Sequence, residues 1–328
     1  MTIPAKASSA RIALAMAILY FVWGSTYLAI RVGVGAIPPA MFAGLRFLVA
    51  GVSLALISWG RREAMPRRAA EWATAALVGC VLLVFGNGLV CWAEQTVASG
   101  LTALIICTTP LWLMSMESLV PGGERLGLAE VAWLCLGLVG IAILVSPQLT
   151  AGHSSSAGVA ALIVAAMSWS LGSTIGRHGT MPSSVLVASA IEMLAGGIGL
   201  LGVAGLRGEW TAFDAARVPL ASWLAWAYLV TFGSLLAFSA YSWLLVNARP
   251  TVVVTYAYVN PVVAVLLGVL VLKEPVGPTT LLGAAVTLGA VIAVTQRRSR
   301  PAPPARHLAG GAGPEPRQSS EACPDAAP

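Results

Sequence analysis

Charge is scarce in this chain: Asp, Glu, Lys and Arg make up 10% of its 328 residues, whereas 58% are hydrophobic. A soluble domain carries about 25% charged residues, so the composition excludes a water-soluble protein. The apolar residues form about ten runs, each close to the ~20 residues that a helix needs to span a bilayer. The sequence therefore predicts an all-α integral membrane protein with ten transmembrane helices and no room for a second, soluble domain.

Several features of membrane enzymes and ATP-driven pumps are also lacking. The three histidines lie in predicted loops (His153, His178) and in the C-terminal tail (His307), and no Asp lies in an apolar run. The five cysteines contain no CxxC pair, so we expect neither a metal site nor a structural disulfide. A Walker-type glycine loop is missing as well. We expect no metal and no cofactor.

The basic residues give a net charge of +6, but they lie in short loops and form no stripe for nucleic acid. With the N-terminus inside, twelve Lys and Arg residues fall on the inner side and four on the outer side. This bias predicts that both termini are cytoplasmic. The first apolar run is longer than a signal peptide's and lacks a cleavage site before Arg31, so we interpret it as a retained helix.

Proline and glycine clusters mark the ends of the predicted helices. From Ser299 onward the chain is rich in Pro, Ala, Gly and Ser, and a disordered cytoplasmic tail is predicted over 299–328. The predicted helices are 12–30, 39–59, 72–92, 98–119, 128–146, 158–176, 184–206, 221–245, 251–272 and 278–296.

The two halves of the chain repeat one another. Five helices per repeat is an odd number, so the second copy enters the membrane from the opposite side, as in many secondary transporters. The repeats cover 12–146 and 158–296. The recurring landmarks are Trp23 with Arg31, Trp169 with Arg177, Pro110 with Glu124, and Pro261 with Glu274.

Several stretches are similar to a known protein family, among them Trp23-Gly24-Ser25-Thr26-Tyr27, Gly86-Asn87-Gly88 and the run from Thr255 to Gly268. They resemble the EamA family of the drug/metabolite transporter superfamily, and within it inner-membrane exporters of the YedA type. The resemblance implies two five-helix EamA repeats in the bacterial inner membrane and export of small metabolites or drugs. It also implies a central cavity lined by helices one to four and six to nine.

Two ionisable residues lie deep in predicted helices, where charge is costly and usually functional. Arg46 in helix two and Glu192 in helix seven occupy nearly equivalent repeat positions. We hypothesise that Glu192 alternates between a proton and either substrate or Arg46, which would couple export to the proton gradient. A static ion pair between the two is the structural alternative. Glu94 and Glu117 near helix ends are weaker gate candidates, since interfacial positions explain them equally well.

Other candidates are polar or aromatic groups inside helices. Gly86 and Gly88 flank Asn87 and favour local unwinding or, alternatively, close helix packing. Pro110 and Pro261 are candidate hinges for two gates, or simple packing kinks. Aromatic and amide side chains are expected to line the cavity: Trp23, Trp169, Tyr241, Tyr256, Tyr258 and Asn260.

Small residues in helices five and ten, such as Gly140 and Gly283, permit close helix approach. A homodimer through these helices is one interpretation, and intramolecular packing is the other. Overall, the sequence favours a proton-coupled exporter of amino-acid-like or amphipathic compounds. The alternatives are an uncoupled facilitator on the same fold and an integral-membrane enzyme acting on a lipid-linked substrate.

Overall fold

The computed structural model describes residues 8–121, 127–150, 155–248, 250–253 and 255–298. Its secondary structure over those ranges is entirely helical, without strands. We number ten long segments in chain order: α1 Ser9–Val34, α2 Pro39–Gly60, α3 Ala69–Ala93, α4 Ser99–Glu117, α5 Leu128–Thr150, α6 Ser156–His178, α7 Val185–Leu206, α8 Leu220–Tyr228 with its continuations Leu229–Leu236 and Ala237–Asn247, α9 Tyr256–Leu272, and α10 Pro278–Arg298.

Eight of these helices, α1 to α8, are long and apolar enough to cross a membrane over the described ranges. The other two, α9 and α10, are apolar but shorter, with apolar stretches at Tyr256–Leu272 and Pro278–Ala293. All ten lie where the sequence predicts helices. The largest difference is in α1, which extends beyond 12–30 at both ends. Ser8 caps its start, its side chain accepting from the Arg11 N–H. The predicted tail, 299–328, and Glu124 lie outside the described residues.

The third helix of each half contains a π-helical segment. In α3 it covers Cys80–Asn87, and in α8 it covers Leu229–Leu236. The predicted unwinding at Gly86-Asn87-Gly88 is therefore wrong: the helix widens there and continues. Backbone bonding continues through the segment in α3, where the Gly88 N–H donates to the Leu83 carbonyl, and π segments are frequent at functional sites.

The second helices of the two halves, α2 and α7, pack closely and run antiparallel. A Cβ atom added to Gly197 would lie 2.8 Å from the Leu48 nitrogen, and one on Gly51 would lie 2.9 Å from the Leu194 nitrogen. Glycine is therefore needed at these positions for the two backbones to approach. The contact joins the two halves along most of the length of α2 and α7.

The fifth and tenth helices, α5 and α10, pack against each other. A Cβ on Gly283 would lie 2.6 Å from Leu144, and Gly140 approaches Thr287 as closely. These small residues thus serve intramolecular packing, the alternative to a dimer contact. A homodimer through α5 and α10 stays a prediction.

Candidate functional site

The Arg46 side chain lies inside the helix bundle, with only 5% of the residue exposed. Its Nε donates to Ser234 Oγ at 3.0 Å, in the π segment of α8. Its Cζ lies 4.7 Å from the centroid of the Phe47 ring. In the described part of the chain no carboxylate forms an ion pair with Arg46, and its Nη1 has no hydrogen-bond partner. The guanidinium therefore carries a buried charge with no counter-charge.

Three predicted cavity residues form one ring cluster. Trp23 of α1 lies with its ring centroid 5.2 Å from that of Tyr256 and 5.3 Å from that of Tyr241. The two tyrosine rings are 5.9 Å apart. The cluster therefore joins α1, α8 and α9, and these separations are typical of interacting aromatic pairs.

Gly233 lies between the ring cluster and Arg46. The Trp23 Nε1 donates to the Gly233 carbonyl at 3.3 Å, and a Cβ on Gly233 would lie 3.3 Å from Arg46 Nη2. The π segment of α8 thus presents bare backbone to both side chains. We call the set Trp23, Arg46, Gly233, Tyr241 and Tyr256 the arginine–aromatic site.

The other half contains the counterpart of this contact. A Cβ on Gly86, in the π segment of α3, would lie 2.8 Å from the Trp169 Nε1. Each half therefore places the Trp of its first helix against a glycine in the π segment of the other half. Glu192 follows Trp169 by 23 residues, as Arg46 follows Trp23, so the two ionisable residues are exact repeat counterparts.

Glu192 is half-buried, and its backbone packs against Gly79 of α3. Its carboxylate makes neither a hydrogen bond nor an ion pair with any described residue. Because Gly44 faces Leu201 and Gly51 faces Leu194, Arg46 is level with position 199. That position is seven residues from Glu192 on α7, or ~10 Å along the helix axis. No ion pair joins Arg46 to Glu192 in this structure.

The remaining predicted lining residues lie apart from the rings. The Asn260 amide, oriented to satisfy its hydrogen bonds, donates to the carbonyls of Tyr256 and Tyr20 at 3.3 Å each, so it joins α9 to α1. Asn87 accepts from the Cys91 thiol at 3.6 Å. Tyr258 is half-buried and shares no ring contact with the arginine–aromatic site among the described aromatics.

The two candidate hinge prolines differ in position. The fourth helix is broken at Cys107 and Thr108, two residues before Pro110. Pro261 lies inside the continuous helix α9, and the turn before that helix lies at Thr255. The fourth helix is thus interrupted next to its proline, whereas α9 continues through Pro261.

At the end of α4, Glu117 is 8% exposed and held by two basic residues of α6. His178 Nε2 lies 2.8 Å from Glu117 Oε2, and Arg177 Nη1 lies 3.5 Å from Oε1. Sequence reasoning placed His178 in a loop, whereas it is the last residue of α6. We call these three residues the inner cluster.

Glu94 lies just after α3, at the end opposite to the inner cluster, and is 0% exposed. Neither of its carboxylate oxygens has a hydrogen-bond partner within the described ranges, while its carbonyl accepts from the Arg31 guanidinium. Burial raises the pKa of the Glu94 carboxyl well above its ordinary value, which Arg31 opposes and Glu274 reinforces. Burial of Glu94 therefore favours the protonated form of its carboxyl.

Sequence reasoning missed the role of three carboxylates that accept hydrogen bonds at the start of helices in the other repeat. Glu274 accepts from the Ser99 N–H and hydroxyl at 2.8 Å and from the Gly100 N–H at 3.1 Å, at the start of α4. Glu209 accepts from the Met41 N–H at 2.9 Å in α2, and Glu63 from the Ser184 hydroxyl at the start of α7. Repeat spacing could have identified two of them, because Glu63 follows Arg46 by 17 residues and Glu209 follows Glu192 by the same 17 residues.

Comparisons with known proteins agree with this two-part architecture. Residues 10–146 and 156–296 each match the profile of the EamA-like transporter family. The chain is 39% identical over 278 residues, 84% of its length, to the "Uncharacterized inner membrane transporter YedA" of Escherichia coli K12, covering 88% of that protein. It is 28% identical over 179 residues to a Salmonella typhimurium protein named "Probable amino-acid metabolite efflux pump", covering 52% of this chain and 56% of that protein.

One crystal structure of another protein aligns with a TM-score of 0.59 at 20% identity, covering 89% of this chain and 99% of that one. At that identity the likeness shows the fold alone. The sequence matches decide the family. The chain belongs to the EamA-like transporter family, in the drug/metabolite transporter superfamily.

Proposed function

We propose that this protein is a secondary transporter that exports small metabolites or drugs across the bacterial inner membrane by alternating access. Its moving halves are two inverted five-helix repeats, with all ten helices crossing the bilayer and both termini in the cytoplasm. The observation that carries the proposal is the reciprocal contact of Trp23 with Gly233 and of Trp169 with Gly86. A cargo bound there contacts both repeats, so their rocking exposes it to either side in turn.

The two ends of the bundle supply the gates. In the proposed orientation the inner cluster closes the cytoplasmic side. On the outer side, the contacts of Glu274 with Ser99 and Gly100 join the two repeats beside Glu94. Both sets of contacts are present together, and we call this the closed conformation. Opening either side requires the loss of a small number of polar contacts, which is a suitable barrier for a gate.

Proton antiport through Glu192 is the proposed coupling. Its carboxylate is half-buried and has no partner among the described residues, so it is free to exchange a proton for cargo. An uncoupled facilitator on the same fold would move the same cargo but would not need this group.

The test begins with profiling of metabolites released by cells that overproduce wild-type protein, which identifies a cargo. Everted membrane vesicles are then assayed for uptake of that cargo with and without a proton gradient. We expect Glu192→Gln to abolish gradient-driven uptake while keeping counterflow exchange of cargo. The matched control is Asp214→Asn, which removes an exposed carboxylate. Full gradient-driven uptake by Glu192→Gln would overturn the coupling role.

A further inference from the structure

Arg46 has a polar atom with nothing to bind, which is unusual at this depth. A charge far from water is costly, and proteins keep one there only when a partner or a function compensates for it. In the described chain Ser234 satisfies the Nε, and Phe47 receives the cation on its ring face. Nη1 remains unpartnered and is fully buried. A missing anion explains both the uncompensated charge and the unpartnered donor.

The free edge of the guanidinium has a geometry that suits a carboxylate. With Nε used by Ser234, the remaining donors are Nη1 and Nη2, which form the planar fork that binds two oxygens of one anion. A Cβ added to Gly233 would lie 3.3 Å from Nη2 and 3.6 Å from the Leu229 and Thr26 side chains. An anion therefore reaches the fork only when the helices around it move apart.

The rings of the arginine–aromatic site lie on the other side of the same glycine. Trp23 donates to the Gly233 carbonyl and contacts Tyr241 and Tyr256. Gly233 alone therefore separates this aromatic surface from the guanidinium. Rings alone would also attract a cation. A cationic cargo would, however, be repelled by the buried charge of Arg46.

We propose that the cargo is a small monocarboxylate with an aromatic or bulky apolar body. Arg46 holds its carboxylate, and Trp23, Tyr241 and Tyr256 contact its body. This assignment rests on the proposed transport function and adds the substrate class to it. The rings contact each other in the closed conformation, and the cargo replaces those contacts when the site opens.

The test measures binding to the purified full-length protein in lipid nanodiscs. The probes are 3-phenylpropionate, its uncharged amide 3-phenylpropionamide, and the cation 2-phenylethylammonium, which share a ring and differ in charge. We expect the acid to bind wild-type protein about ten-fold or more tighter than the amide, as one charged hydrogen-bonded contact supplies. Arg46→Gln should remove that preference and leave binding of the amide unchanged.

Two further variants separate binding from folding. Arg46→Lys retains the charge without the fork and should restore part of the preference for the acid, whereas Trp23→Leu should weaken acid and amide equally. Arg217→Gln, at an exposed arginine, should behave as wild type. Circular dichroism and the thermal midpoint show whether each variant is folded.

The assignment is overturned if no acid in a series of aryl and alkyl monocarboxylates binds wild-type protein, or if Arg46→Gln keeps the preference for acid over amide. Its failure is distinguishable from failure of the transport function. Vesicles that transport a neutral or cationic cargo normally with Arg46→Gln would refute the substrate class alone. The transporter proposal would be refuted if vesicles with wild-type protein transport no compound beyond those that control membranes also transport.

Discussion

Nε2 of His178 lies 2.8 Å from Oε2 of Glu117, and this contact joins the end of α6 to the end of α4. Arg177 lies against the other carboxylate oxygen. The two helices belong to different repeats, so the inner cluster links the halves of the molecule at one membrane face. The carboxylate is buried while both basic side chains are exposed, which leaves the cluster open to protons and salt from the solvent.

Replacing Glu117 by Gln should loosen the inner end of the bundle. Loss of a partly buried ion pair costs about 1 kcal/mol, which raises the open fraction about five-fold. The native thiol of Cys107, buried in the break of the fourth helix, reports that opening through its rate of maleimide labelling, read by mass spectrometry. Labelling of Cys107 after denaturation, which exposes the thiol equally in both proteins, serves as the internal control. Equal labelling of Cys107 in the folded wild type and the folded variant would exclude a gate at this cluster.

Glu94 should make the closed state depend on pH. Burial raises its pKa above its ordinary value of 4.5, so the closed state binds the proton more tightly than an open or unfolded state. The stabilisation is fully present below the ordinary pKa and is lost as the pH rises through the raised one. The charged or titratable groups that interact with this carboxyl are Arg31, Glu274, Tyr27 and Cys91.

Thermal unfolding in detergent, followed from acid to alkaline pH, checks this prediction. We expect the midpoint of the wild type to fall as the pH rises above about 4.5, and Glu94→Gln to flatten that slope without lowering the midpoint. Asp214→Asn, at an exposed acid, should keep the wild-type slope. A Glu94→Gln profile that parallels the wild type would show that another group titrates.

Glu274 should contribute to stability as a helix cap. Its carboxylate satisfies three donors at the start of α4, and removal of a capping side chain costs about 1 to 2 kcal/mol. Glu274→Ala should therefore lower the thermal midpoint measurably, and Glu274→Gln, which keeps one acceptor, should lower it less. If Glu274→Ala is as stable as wild type, water replaces the cap.

Two glycines of α7 provide a matched test of helix packing. Gly197 lies against Leu48 and leaves no room for a methyl group, whereas Gly202 faces open space. Gly197→Ala should destabilise the protein by about 1 to 3 kcal/mol through overpacking. Gly202→Ala should be neutral or stabilise by up to about 1 kcal/mol. Similar thermal unfolding midpoints for both variants would mean that α2 and α7 can move apart to accept a methyl group without loss of stability.

Helix positions were predictable because a bilayer demands them. Each apolar run must bond its own backbone and must be long enough to cross the hydrocarbon core, so proline and glycine clusters located helix ends to within a few residues. The repeat was visible for a similar reason, because Trp23 and Trp169 occupy the same position in equivalent helices. The same spacing brings Arg46 and Glu192 into exact correspondence.

The candidate site was predictable only in part. Hydropathy identified Arg46, Glu192 and the aromatic residues as unusual, and the structure brings Trp23, Tyr241 and Tyr256 together. Tyr258 and Asn260 are aromatic and polar residues of the same helix, α9, but they are not part of this ring cluster. Which side of a helix faces the cluster depends on packing against its neighbours. The capping role of Glu274 was hidden for the same reason: its partners are 175 and 174 residues away.

The sequence by itself determined a helical membrane protein made of two related halves, because run length and repeat spacing are properties of the chain. Only the tertiary structure decided which charges have partners. Ser234, 188 residues distant, receives the Arg46 Nε, Glu117 is paired with His178, and Glu192 is paired with neither Arg46 nor any other described residue. Electrostatic compensation depends on distances between side chains from remote helices, and no pattern along one helix contains those distances.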